Sequence, residues 1–377
     1  MRCPVAPPRR RPLPAWRLLA ALAVLLAAAC APASAPARAP AVTPAPLPPT
    51  RAEVPTAAAP PAARPAAAER PEKDTLAVAA VIATASSLPL QVAIDGGYFQ
   101  QHGLTVENHL LSASVAVQAL VSGSIDVYQG GSAAIAARLG GSDVIYVAAP
   151  VDRSSLVLYG EKGLRAFPDF RGKTIATTSP GAFGEIALHQ TAREYGLVPG
   201  QDFELRYNSN SETALLAFMA GGTAGAIVSP PQTIRAAEQG YPAIVDYYQQ
   251  GLKIVGPGVA VTRAFAQSHP NTLKAYLEGY LDGLRRCLDD PAYAKAIDGQ
   301  YARTDDPVFL DQDYAEGRRI WNVDLTVDRG AIEVVLRNSP LPNAADANPD
   351  DFYDNSFVRA VNATYAARLF PEVFGDR

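Results

Sequence analysis

The side chains in this chain best suited to chemistry are the serines, glycines and asparagines of five short loops. They are Ala85-Ser86-Ser87, Gly130-Gly131-Ser132, Ser179-Pro180-Gly181-Ala182-Phe183, Asn208-Ser209-Asn210-Ser211 and Ser229-Pro230-Pro231. Hydroxyls, carboxamides and unpaired backbone N–H groups hold a ligand by hydrogen bonds; without a partner base they do not attack it. Each loop follows a strand-like run and leads into a helix-like one. At the carboxyl edge of an open α/β sheet, such loops meet the positive ends of helices, each contributing about 0.3–1 kcal/mol toward an anionic group. Any one loop is equally well explained as helix N-capping, but their recurrence along the chain points to a cleft. The candidate binding residues are Ser86, Ser87, Gly130, Gly131, Ser132, Ser179, Gly181, Ala182, Phe183, Asn208, Ser229 and Pro230, with Arg153 as the main cation nearby.

Catalytic and metal-binding patterns are missing from the sequence. His102, His109, His189 and His269 are scattered, without partners at metal-ligand spacing. There is no nucleophile elbow and no phosphate loop ending in Gly-Lys-Ser/Thr. Gly256-Pro257-Gly258 carries a proline and no following helix, which argues against a dinucleotide fingerprint. No cofactor or metal is expected, and binding is favoured over catalysis. With few cations near the loops a multiply charged anion is disfavoured, and the expected ligand is a small polar or anionic organic solute, neutral or singly charged. Phe183, Tyr128 and Tyr207 are candidates to stack on a ring, or to be core.

The elements that position these loops alternate. Thr75–Thr84, Leu104–Leu111, Ile125–Tyr128 and Asp143–Ala149 read as strands, separated by helical spacing at Pro89–Phe99, Ser114–Ser122 and Ala133–Leu139. The pattern restarts with strands at Lys173–Thr178, Asp202–Tyr207, Ala224–Val228 and Ala243–Tyr248. Helices Phe183–Tyr195, Glu212–Ala220 and Gln232–Gln239 lie between them. Such alternation predicts βαβ units, mixed but mostly parallel sheets and an α/β fold. Leu120–Val127 lines up with Met219–Ala226: in each, a helix stops at glycine and a strand begins. Two copies of one unit predict two lobes with a cleft between them. Helices follow, including Asn271–Leu288, on whose apolar stripe Cys287 reads as a small buried group.

The first seventy residues differ in kind. Arg9, Arg10, Arg11 and Arg17 precede an apolar run from Leu18 to Ala29, the layout of a secretory signal peptide over residues 1–29. About twelve apolar residues are too few for a bilayer core that needs roughly twenty. Ala27-Ala28-Ala29-Cys30 resembles a bacterial lipobox, which implies lipid on Cys30. Residues 30–73 are rich in alanine and proline and cannot build a core, so they read as an extended tether. Of three cysteines only Cys287 would remain free, so no disulfide can form within one mature chain. The formal net charge is −4 and the pI about 5.7, which gives no basic face for nucleic acid.

Several phrases in order carry a family resemblance. They are Gly97-Tyr98-Phe99 with His102-Gly103-Leu104, then Ala119–Asp126, Phe170-Arg171-Gly172-Lys173, Thr262-Arg263-Ala264-Phe265 and Asn348-Pro349-Asp350-Asp351-Phe352. Together they resemble solute-binding proteins of ABC importers, in the group that binds sulfonates, taurine, nitrate and thiamine-pyrimidine precursors. The resemblance implies a two-lobe type II periplasmic-binding-protein fold with crossovers at Leu156–Gly160 and Ile254–Thr262. Lobe one would be residues 74–159 plus 255–377, and lobe two residues 160–254. It also implies a monomer working with an ABC permease and its ATPase, held to the extracytoplasmic membrane surface only by lipid. Gly225 departs from the pattern, standing where the second copy usually has aspartate. Two other readings stay open: an enzyme of the same fold related to pyrimidine-precursor synthesis, whose cysteine-rich patch this chain lacks, and a ligand-sensing surface lipoprotein.

Overall fold

A computed structural model describes residues 70–80, 84–339, 341 and 343–375. The expected signal peptide, the lipidated Cys30 and most of the tether lie outside the described residues. The tether's expected end at residue 73 is corrected by two side chains that dock on the body. Glu72 accepts the N–H groups of Asn271 and Thr272 at 3.1 and 2.8 Å, capping a long helix, and Lys73 pairs with Asp126 at 2.6 Å. A carboxylate at a helix start is stabilised by the free N–H groups there, so the ordered body already includes Glu72.

Ten strands form two sheets. They are β1 (Thr75–Ala80), β2 (Thr105–Leu110), β3 (Val127–Gly130), β4 (Val144–Ala148), β5 (Val157–Gly160), β6 (Thr174–Thr177), β7 (Glu204–Tyr207), β8 (Gly225–Val228), β9 (Ala243–Asp246) and β10 (Gly258–Thr262). The first sheet has the order β2-β1-β3-β10-β4 and the second β7-β6-β8-β5-β9. Every residue of β3, β4 and β8 is buried, as expected where helices cover both faces. The expected βαβ alternation and mixed sheets are present, with most strand and helix limits within two or three residues.

Each sheet contains one antiparallel strand contributed by chain arriving from the other. β5 runs antiparallel to β8 and β9, and β10 antiparallel to β3 and β4. The segments expected as crossovers, Leu156–Gly160 and Ile254–Thr262, are therefore largely these exchanged strands. The expected lobe boundary after Tyr159 falls inside β5, which belongs to the second sheet throughout. The connecting chain lies just before each strand, and its two passes run antiparallel. Ser154 N–H donates to Leu252 O and Ile254 N–H to Asp152 O, both at 3.0 Å. Lys253 pairs with Asp152 across them.

Gly225 has a steric explanation. A Cβ there would lie 2.6 Å from both a Phe170 ring carbon and the Tyr159 carbonyl oxygen, so no aspartate fits.

The C-terminal third covers the first sheet with helices. Pro270–Asp289 buries Leu273, Leu277, Leu281, Leu284 and Cys287, the last with no exposed surface. Burial at this level fits Cys287 as a packing group and pushes its thiol pKa up. Among the described residues no helix is long and apolar enough to cross a membrane.

Candidate functional site

The loops at the carboxyl ends of the parallel strands come together in two places. In the first, they touch each other directly. Gly131 follows β3, and a Cβ there would sit 3.2 Å from the Phe183 ring, which begins the helix Phe183–Glu194 after β6. Ser132 Oγ donates to Gly181 O at 2.9 Å, and Tyr146 OH fixes the Gly131 carbonyl at 2.5 Å. Gly131, Ser132, Gly181 and Phe183 thus meet as one contact between the halves, whereas Gly130 faces Tyr128 of its own half.

The helix start behind Gly181 is already supplied with a negative charge. Buried Glu185, in the first turn of that helix, accepts Gly181 N–H at 2.5 Å through Oε2 and the Tyr207 hydroxyl at 2.5 Å through Oε1. This is the reach-back arm of a capping arrangement. It takes the Gly181 N–H that sequence reasoning offered to a ligand and puts a carboxylate in the helix's first turn. Burial, with Glu185 opposing it, lowers the pKa of His189, which stands 3.7 Å from Glu185.

In the second place a cavity of about 330 Å³ lies between the second sheet and the helix Pro307–Ile320, which packs on the first. Its walls include Tyr159 at the β5 end, Pro230 after β8, Asp246 at the end of β9, Tyr248, and Glu316 and Arg319 from the helix. Arg319 is held by Glu316 at 2.9 Å and lies 4.0 Å from the Tyr248 ring centroid. Arg153 covers the same ring at 5.8 Å. Burial raises the pKa of Glu316; Arg319 opposes that, and Asp246 and Asp313 add to it.

The loop after β1 is anchored from the same helix. Asp313, fully buried, accepts Ala85 N–H at 2.7 Å, and Trp321 Nε1 donates to Ala85 O at 2.7 Å. Within the loop, buried Ser87 donates to Thr84 O at 3.1 Å, and Ser86 bonds the Thr84 hydroxyl at 3.0 Å.

Of the expected ligand residues, only Pro230 lines the cavity. Ser229 bonds the Ser211 hydroxyl at 3.1 Å, and Asn208 donates to Thr177 O and Arg206 O. Ser179 is exposed, and Ala182 is the N-cap residue of its helix. Sequence reasoning missed Tyr159, Asp246, Tyr248, Glu316 and Arg319. Asp246 had a local signal, an acid at the end of an expected strand; Glu316 and Arg319 come from distant sequence and had none.

Two sheets that exchange one strand each, with facing loops and a cavity between them, define the fold of periplasmic binding proteins. A family model described as NMT1/THI5 like matches residues 84–294, and the chain belongs to that family. It is similar in structure to the periplasmic aliphatic sulphonate binding protein SsuA from Escherichia coli. The TM-score is 0.59 at 15% identity, over 77% of this chain and 99% of that one. The periplasmic nitrate-binding protein NrtA from Synechocystis PCC 6803 gives 0.62 at 16% identity, over 79% and 91%. The alkanesulfonate-binding protein SsuA from Xanthomonas axonopodis pv. citri, bound to MOPS, gives 0.58 at 17%, over 77% and 98%. No curated protein sequence matches the chain.

Proposed function

We propose that this chain is an extracytoplasmic solute-binding lipoprotein that takes one small polar organic solute between two lobes and delivers it to an ABC importer. The cavity shared by Tyr159, Asp246 and Tyr248 of one half and Glu316 of the other carries this reading. A ligand that touches both halves has different affinities for open and closed forms, and that difference alone can drive closure. The paired passes at Asp152–Ser154 and Leu252–Ile254 supply the hinge, so the lobes divide just before β5 and β10. The contacts of Gly131 with Phe183 and of Ser132 with Gly181 belong to the closed form. The related solved structures include binders of sulfonates and of nitrate, which supports the class of function.

Mass spectrometry of small molecules released from the purified protein, followed by calorimetric titration of the compound found, tests the reading. One-to-one binding without turnover is expected. Conversion of the compound to a product would replace solute binding by the enzyme reading. For the anchor, Cys30→Ala is expected to move the protein from the membrane to the soluble extracytoplasmic fraction; retention on the membrane would remove the lipoprotein assignment.

A further inference from the structure

We infer that the solute selected by this cleft carries a positive charge, as a small organic ammonium or amidinium, and is not a sulfonate or nitrate. This rests on the solute-binding reading above and adds the ligand's charge.

The cavity walls hold an excess of carboxylates. Glu238, Asp246 and Glu316 face one guanidinium, Arg319. That guanidinium is already engaged by Glu316 and by the Tyr248 ring. Asp246 uses Oδ1 to accept the N–H groups of Tyr248 and Gln249 at 3.0 and 3.2 Å. Its Oδ2 makes no hydrogen bond among the described residues, and Glu238 has no ion pair among them. Arg153, the other nearby cation, lies outside the cavity wall over the same Tyr248 ring at 5.8 Å.

Ring faces attract cations through their negative quadrupole. Of the two tyrosines in the wall, Tyr248 is already engaged by Arg319 and Arg153, while Tyr159 has no guanidinium over its ring among the described residues. The Tyr159 hydroxyl is turned to Thr233 O at 2.9 Å, so it donates away from a ligand.

A second feature weighs against an anion at the other loop cluster. In open α/β sheets an anionic ligand sits on helix N-termini. Here Glu185, in the first turn of the helix Phe183–Glu194, already places a buried carboxylate beside that end and accepts Gly181 N–H from the loop before it. An incoming sulfonate would meet that buried negative charge, while the Phe183 ring and Gly131 fill the adjoining space. Like charges within a few ångströms in a poorly hydrated site repel strongly. An ammonium placed near Asp246 Oδ2 is instead paired and hydrogen-bonded, which is what a buried charge requires.

The test is a thermal-shift and calorimetric panel on the purified full-length chain. It uses matched probes that exchange only the charged group on one frame: benzylammonium, benzyl alcohol and benzylsulfonate, then the aminomethyl, hydroxymethyl and sulfomethyl pyrimidines, with nitrate added. The ammonium members are expected to raise the melting temperature and the sulfonates and nitrate to leave it unchanged. Asp246→Asn and Glu316→Gln are each expected to weaken the ammonium response at least tenfold while the unliganded melting temperature stays within a few degrees. Stabilisation by sulfonate or nitrate alone overturns the charge assignment and leaves solute binding standing. A response to ammonium that persists in both variants overturns the assignment to this cavity. Silence from every probe, together with no co-purifying solute, overturns both readings.

Discussion

Ser132 Oγ donates to the carbonyl oxygen of Gly181 at 2.9 Å, joining a loop of the first sheet to a loop of the second. Ser132 is buried, and beside it the Phe183 ring rests against Gly131. On the proposed hinge, the closed form is held partly by the chain itself. Ser132→Ala removes a neutral hydrogen bond, a loss of about 0.5–1.5 kcal/mol, which corresponds to a roughly twofold to tenfold shift toward the open form. Distances between spin labels on the two halves, measured without added ligand, should lengthen in that variant. An unchanged distance distribution would show that the bond does not contribute to closure.

Asp298 and Asp313 form a second relationship with a measurable sign. Both are buried, and burial raises both pKa values; the charge of Asp313 raises Asp298 further, while Ala85 N–H opposes the rise at Asp313. Folded pKa values above the unfolded ones mean that the folded state holds protons the unfolded chain has released. The associated stability is present below about pH 4 and is lost as pH rises toward about 7. Asp298→Asn should flatten that slope in denaturant titrations between these pH values, with the greatest relative gain above pH 7. Asp313→Ala, which leaves Ala85 N–H buried and unpaired, should cost about 1.5–3 kcal/mol.

His102 should show its own pH window. Burial pushes its pKa down, but hydrogen bonds and charge from Asp282 and Glu278 override this and raise it to about 9. Its ring nitrogens lie 2.7 Å from Asp282 and 3.3 Å from Glu278, and Tyr365 OH donates to Asp282 at 2.7 Å. The raised value makes the stabilisation complete below about pH 6.5 and absent once pH has passed about 9. His102→Gln should therefore lower stability at pH 6 by on the order of 2 kcal/mol, allowing for partial solvent screening, and much less at pH 9.5. Equal loss at both values would assign the effect to packing alone.

Cys287 should be silent toward thiol reagents until the protein unfolds. It is fully buried, and burial raises its thiol pKa, so little thiolate forms and no reagent reaches it. Ellman's reagent should report no free thiol in native buffer and one per body in denaturant. Cys287→Ala should leave ligand affinity unchanged.

The sequence was most legible where periodicity is local. β1, β3, β6 and β8 and the helices after them follow from alternating apolar runs and glycine stops, and the match of Leu120–Val127 with Met219–Ala226 disclosed the duplication. The exchanged strands β5 and β10 look only like crossovers in the sequence because each is short and pairs with strands far away along the chain. The candidate loops were correctly placed at strand ends, yet most of their polar groups bond one another. Glu185 shows why: it reaches back to Gly181 N–H, and with alanine at the N-cap position 182 no capping-box signature announced it. The cavity wall from Gln312 to Arg319 was not, because nothing in a helix's own pattern tells which surface distant chain will face.

The strand exchange also sets an order of events during synthesis. Every strand of the second sheet lies between Val157 and Asp246, so that half is a continuous stretch of chain. The first sheet lacks its member between β3 and β4 until Gly258–Thr262 has emerged, and its covering helices arrive later still. Domains usually acquire structure from the N-terminus onward as the ribosome releases them. Here the interior half can finish first, while β3 and β4 wait, apolar and unclosed, for a partner more than a hundred residues away. The long sequence separation of those pairings slows their formation. The half that begins the chain is thus the one most in need of protection by chaperones before the last third is made.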